Sequence, residues 1–263
     1  MKLALIPPIS WLSTSEVTNY QLMLPQLMSD HNYVKHYRPL TKRSDQYVIL
    51  DNGEAEGQNR FGSAQLVGMA IYAEVDEVVI PDIMRDQVET LNRMEQFFKD
   101  IYDLRNDAFG PRQVAKLNFM GVAQGKTLQE VKDCIDIMVE LHGERLHTIA
   151  LPRHLIDTTG DMDVRVTLAD YMHHNFPDHQ IHCLGAAPTY NKEMLVLGQL
   201  GMVRGMDTSM PYNYAYQGIE IDSDPEWRVQ RPPRYFSRPA RSFDNALLHH
   251  NIGVMKRWAS GQS

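Results

Sequence analysis

The sequence predicts a (β/α)8 barrel, and three observations carry that prediction. A length of 263 residues suits one large α/β domain with a substantial core of its own. Short apolar runs recur along the chain and alternate with segments of helical periodicity, the pattern of strand, helix, strand, helix. Three aspartates each follow directly on an apolar run: Asp51 in Tyr-Val-Ile-Leu-Asp-Asn-Gly, Asp82 in Val-Val-Ile-Pro-Asp, and Asp207 in Val-Arg-Gly-Met-Asp-Thr-Ser-Met-Pro. A barrel collects such strand-end residues at one mouth, where barrel enzymes do their chemistry. The competing architecture is an open doubly wound sheet, but no Gly-x-Gly-x-x-Gly follows the first strand, which counts against a dinucleotide-binding domain.

Taken in order, the expected strands are residues 2–6, 33–37, 47–50, 77–80, 118–123, 148–151, 180–184 and 202–206. Between them, residues 63–73 form a helix that is small and apolar on one face. Residues 86–104 form a second, with Val88, Leu91, Met94, Phe97, Phe98 and Ile101 at helical spacing. Thr127 N-caps a third over residues 127–141, and Glu130 completes a capping-box pattern. Residues 164–175 and 192–200 supply two more, and 244–258 a closing helix. No internal repeat or low-complexity linker interrupts this series. The expected organisation is a single domain, with the barrel over residues 1–215 and, packed on it, an arm and closing helix over residues 216–263.

Composition narrows the function classes. The formal charge is −7, whereas a binder that holds nucleic acid by charge alone is basic overall; a local basic surface can still suffice. The two cysteines, Cys134 and Cys183, exclude a disulfide scaffold and fit a reducing cytoplasm. They are too few for a zinc site built from three or four thiolates. The apolar start of the chain is cut by Pro7 and Pro8 and reads as a first strand, not a signal peptide. No apolar stretch is long enough to cross a membrane. Neither metal nor cofactor is expected.

The arm differs in composition. Arg228, Arg231, Arg234, Arg238 and Arg241 fall within fourteen residues that contain no acid, interleaved with Trp227, Tyr235 and Phe236. Prolines make this stretch extended. It reads equally well as an arm packed on the barrel and as a phosphate-tracking strip whose aromatics stack on bases.

The strand ends, read in order, carry Asp51-Asn52-Gly53, then Pro81-Asp82, then Gly121-Val122-Ala123-Gln124-Gly125, then Leu184-Gly185-Ala186, then Asp207-Thr208-Ser209-Met210-Pro211. This series resembles the tRNA-guanine transglycosylase family. Its Asp-Ser-Gly-Gly, Phe-Asp-Glu, Gly-Ile-Val-Gln-Gly, Met-Gly-Val-Gly and Asp-Cys-Val-Met/Leu-Pro segments come in the same order, over roughly residues 45 to 215. No single match is specific; the order is what counts. The family's zinc module and RNA-binding extension are absent from the sequence, and Asn52 and Glu54 depart from the family pattern. The trimmed chain is most similar to the zinc-less 7-deazaguanine DNA transglycosylases of phages and bacterial DNA-modification systems. The base-stacking aromatic of the family is not assigned to a residue here.

That resemblance implies exchange of guanine in DNA for a 7-deazapurine such as preQ0, in the cytoplasm (the host's, if the gene is a phage's), alone or with accessory modification proteins. Asp207 would be the nucleophile that forms a glycosyl-aspartate, and Asp51 the general acid/base. Asp82 would accept from the purine N–H groups, Gln124 and Gly125 would bind O6, and Asn52 and Gly185 would line the base pocket. The five arginines and Lys126 would meet phosphates of a flipped or single-stranded target. The rival expectations are a transglycosylase acting on tRNA, a barrel that binds nucleic acid without chemistry, and a hydrolase that removes the base. On the residues alone, a single strand-end aspartate is more often a helix cap or turn former than a catalytic group, and His182 and Cys183, inside a strand, are expected in the core.

Overall fold

In a computed structural model that describes residues 1–57, 61–107, 111–186, 191–223 and 229–262, eight parallel strands close in sequence order into a barrel. The strands are β1 (Lys2–Leu5), β2 (Tyr20–Met23), β3 (Tyr47–Leu50), β4 (Glu77–Val79), β5 (Asn118–Val122), β6 (Thr148–Pro152), β7 (Gln180–Leu184) and β8 (Gly205–Thr208). Closure is made by β8 against β1, with Ala4 beside Asp207 and Leu5 beside Thr208. Around them lie α1 (His31–Leu40), α2 (Ser63–Ala73), α3 (Gln87–Asp107), α4 (Pro111–Val114), α5 (Leu128–His142), α6 (His154–Thr159), α7 (Val164–Asn175), α8 (Asn191–Leu200), α9 (Met210–Gln217) and α10 (Asn245–Ala259). The (β/α)8 expectation is met.

One expected strand is in the wrong place. Residues 33–37 are helical, part of α1, and the second strand is Tyr20–Met23. The Tyr-Val-Lys-His-Tyr run reads as alternating, but its buried positions Tyr33, Val34, Tyr37 and Leu40 have helical spacing. Asp30 starts the helix by accepting from the Asn32 and Tyr33 backbone N–H groups. Six of the other seven strands start where the apolar runs put them, whereas β8 lies two to three residues later, at Gly205–Thr208 and not 202–206. Thr127 caps α5 by accepting from the Glu130 N–H, and Glu130 reaches back to the Lys126 N–H, one residue earlier than a standard capping box. Asp244 caps α10 through the Leu247 N–H. α9 runs across residue 215, where the barrel was expected to end, and α10 packs on α8, α9 and β1.

Side chains of alternate strand positions meet inside the barrel. Ala4, Ile6, Tyr20, Leu22, Leu24, Ile49, Val79, Met120, Val122 and Ala150 form this inner cluster. A larger core lies between the strands and the helices. The floor of the barrel is polar: Arg204 donates to Glu77, Tyr20 and Tyr47, and Thr148 donates to Glu77. Gly205 must be glycine, because a Cβ there would stand 2.3 Å from the Tyr20 ring.

Candidate active site at the barrel mouth

Strand parity decides which aspartates look inward. Asp51 lies two residues beyond Ile49 of the inner cluster, and Asp207 two beyond Gly205, whose Cα faces the Tyr20 ring. Both therefore point into the mouth, from walls separated by β1 and β2. They are 7% and 5% exposed. Asp207 is the third residue of β8, not a residue of the loop after it. Its Oδ1 accepts from the Gly185 backbone N–H at 2.9 Å and meets His182 Nε2 at 3.1 Å. Asp51 Oδ2 accepts from the Gly53 N–H at 3.2 Å, and Gly53 takes φ +82°, which glycine adopts without strain.

Gly185 also has positive φ, +73°. Its carbonyl accepts from Arg165 Nη1, which reaches the Leu151 and Leu184 carbonyls as well. Arg165 is fully buried and paired with Glu193 through Nε and Nη2. That ion pair ties the ends of β6 and β7 together and holds the Gly185 N–H against Asp207.

The structure brings Asn52, Asp82 and Gln124 together. Asn52 Nδ2 donates to Asp82 Oδ1 at 2.7 Å, and Gln124 Nε2 donates to Asp82 Oδ2. The amides cannot turn over: Asn52 Oδ1 accepts from the Glu54 N–H and Gln124 Oε1 from the Arg85 N–H. Burial pushes the Asp82 carboxyl up to about 6, against the pull of the two amide donors. Asp82 and Gln124, expected to share a purine edge, spend these atoms on each other.

Gly125 has a packing role, since a Cβ there would lie 2.8 Å from Glu130 Cβ and 2.9 Å from the Val131 nitrogen. Lys126 is exposed, as is Arg85. His154, just past β6, is pushed down to about 4 by burial and by Arg85. It is therefore neutral at physiological pH.

The arm packs on the barrel. Tyr235 is buried and its hydroxyl donates to the Ile6 carbonyl at the end of β1. Phe236 packs against the inner cluster. Tyr235 is therefore turned inward, and Phe236 is partly buried beside it. Arg231 lies over both rings, 5.3 and 5.4 Å from their centroids, with Nη2 3.5 Å from Ser209 Oγ. Arg238 donates to the Pro233 carbonyl and stacks on Tyr216. Arg234 and Arg241 are exposed, and Arg228 and Trp227 lie outside the described residues.

His182 and Cys183 are both fully buried, as expected. Yet His182 is not an inert core residue, because it joins Asp207 to Tyr20, with Nδ1 2.9 Å from the Tyr20 hydroxyl. The signal was available in strand parity: His182 faces the opposite side from Ile181 and Cys183. Tyr20, Glu77 and Arg204, the deeper members of this group, were also missed, Tyr20 because its strand was misplaced. Among the described residues one set of three potential metal ligands converges, Glu220, Asp222 and His250, all exposed. No described helix is long and apolar enough to cross a membrane.

No protein-family model matches the chain, and no curated protein matches it. Among solved structures the chain is similar to D-psicose 3-epimerase in the presence of D-fructose, with a TM-score of 0.53 and 11% identity over 99% of this chain and 100% of that one. It is similar also to D-psicose 3-epimerase with D-tagatose from Clostridium cellulolyticum H10, with a TM-score of 0.55 and 8% identity over 100% of each chain. At these identities the shared property is the barrel. The transglycosylase resemblance is corrected accordingly: its short segments find no family-level sequence support, and these two similar barrels are epimerases. With it fall the DNA base exchange, the tRNA alternative and the glycosyltransferase class.

Proposed function

We propose that this chain is an enzyme that moves protons on a small polar substrate held in the barrel mouth, with Asp51 and Asp207 as the reacting carboxylates. The observation that carries this reading is their placement. Two inward-facing, nearly buried aspartates stand on separate walls of one mouth, each anchored by a backbone N–H. A substrate between them meets a base on one side and an acid on the other. One carboxylate takes the proton from a carbon beside a carbonyl, the electron pair moves into the carbonyl to give an enolate, and the other carboxylic acid returns a proton. The substrate class is a hydroxy-carbonyl compound or an oxo acid. Asp82, clamped by Asn52 and Gln124, supports the wall that carries Asp51. The C-terminal mouth is the usual working face of this fold, an argument by analogy that adds weight without naming a reaction.

The test is isotope exchange. The protein is incubated in D2O with ketohexoses, beginning with D-fructose and D-tagatose, and with aldoses and 2-oxo acids. Carbon-bound deuterium and new products are read by mass spectrometry and NMR. The expected result is exchange in one class, abolished in Asp207→Asn and strongly reduced in Asp51→Asn. Absence of exchange across the panel, with a folded protein, overturns the reading.

A further inference from the structure

We infer that His182, backed by Tyr20 and Arg204, is a positioning residue for Asp207: the barrel interior is wired so that a chain of hydrogen-bond donors ends on Asp207 Oδ1. This deepens the proposed function, and it rests on Asp207 being a reacting carboxylate.

The direction of each bond follows from the chemistry of the groups. Arg204 has donors and no acceptor, so its Nε donates to the Tyr20 hydroxyl, 3.0 Å away. Tyr20 is fully buried, and burial drives the phenol well above its ordinary value, so it keeps its proton. Among the described residues the other group within hydrogen-bond reach of that hydroxyl is His182 Nδ1, at 2.9 Å. A buried hydroxyl proton without an acceptor is costly, so it goes to Nδ1. Nδ1 is then an acceptor, and the imidazole carries its proton on Nε2, which donates to Asp207 Oδ1 at 3.1 Å. The Gly185 N–H donates to the same oxygen. Both bonds converge on Oδ1, which leaves Oδ2 as the oxygen that works on substrate.

The far end of the wire is closed. Arg204 is paired with Glu77, and Thr148 donates to the same carboxylate. His147 also faces this group, with Nδ1 3.1 Å from Arg204 Nη1 and 3.4 Å from Glu77 Oε1. A guanidinium does not give up its proton, so the wire conducts none. It orders the tautomer of His182 and supplies Asp207 with a fixed donor.

The test uses no substrate. Long-range nitrogen–proton NMR of histidine-labelled protein, with His182 assigned by loss of its signals in His182→Gln, reads the tautomer directly. The expected wild-type pattern is a protonated Nε2 and an acceptor-type Nδ1, and Tyr20→Phe is expected to move the Nδ1 resonance. Asp207 reactivity is read in parallel, as its rate of coupling to an amine through a water-soluble carbodiimide, by peptide mass spectrometry. Loss of the donor in His182→Leu is expected to change that rate about tenfold, the factor one buried hydrogen bond can carry. His182→Gln, which keeps an N–H near the Nε2 position, restores a rate close to wild type. Circular dichroism establishes that each variant is folded. A wild-type His182 protonated on Nδ1, or equal labelling in all variants, overturns the inference. Since neither readout involves catalysis, failure of the isotope-exchange test leaves this result to be judged separately.

Discussion

Two amide side chains hold Asp82 with their N–H groups toward it, and backbone donors on their far sides prevent either from turning over. Asp82 must therefore accept at both oxygens, and an amide in its place would set N–H2 against N–H2. Asp82→Asn is expected to cost about 1–3 kcal/mol at pH 7, the range for a buried polar group left unsatisfied, read by urea denaturation. The pH dependence has a definite sign. The folded value near 6 lies above the ordinary 3.8, so between those values the native state binds more protons than the unfolded chain. Wild-type stability from this group falls as pH rises through that window and is level above it. Asp82 was legible in the sequence as a strand-end acid. Its partners were legible too, but as ligands for a substrate: nothing in the order of residues says that Asn52 and Gln124 face each other across Asp82.

At the scale of elements, the ends of β6 and β7 and the start of α8 are tied by the buried Arg165–Glu193 pair. The guanidinium also satisfies three carbonyls, so it replaces the pairing those strand ends lose where the loops begin. Arg165→Met leaves Glu193 buried without its partner and is expected to destabilise by about 3–5 kcal/mol. Arg165→Met combined with Glu193→Leu recovers much of that loss, since replacing both charges by apolar groups is often neutral. Equilibrium unfolding of the three proteins checks this. In this region α7 and α8 were readable as helical segments, whereas the short α6 was not. The misplaced second strand shows where that reading fails, because a short run with apolar residues at both spacings is settled by what it packs on.

Across the whole molecule, the barrel is polar at its floor and acidic at its mouth, with apolar residues between. Burial alone would raise the Glu77 carboxyl, but His147, Arg204 and Thr148 outweigh it and hold it below its usual value. A depressed carboxylate contributes stability that is present above its unfolded value and is lost as pH falls through its folded one. Glu77→Gln is therefore expected to cost about 3–5 kcal/mol at neutral pH, through the Arg204 charge left in the barrel. Its deficit relative to wild type shrinks as pH falls below 4.5, the ordinary value for the group. Acid and urea titrations of the two proteins read that convergence. The arm belongs to the same whole: Tyr235 closes on the β1 end and Phe236 packs against the barrel interior, while Arg234 and Arg241 stay exposed.

The order of apolar runs and helical segments was sufficient to determine the barrel, because strand and helix periodicities are local and eight alternations close in one economical way. It also placed Asp51, Asp82 and Asp207 near one mouth, since the end of a parallel strand is itself a local feature. What only the tertiary structure decided is which of these acids faces inward and what each one touches. Asp207 meets His182 and Gly185 from β7, and His182 meets Tyr20 from β2 and through it Arg204. Those contacts join residues 22 to 184 positions apart, set by strand stagger and side-chain parity around a closed ring, and no local pattern encodes them.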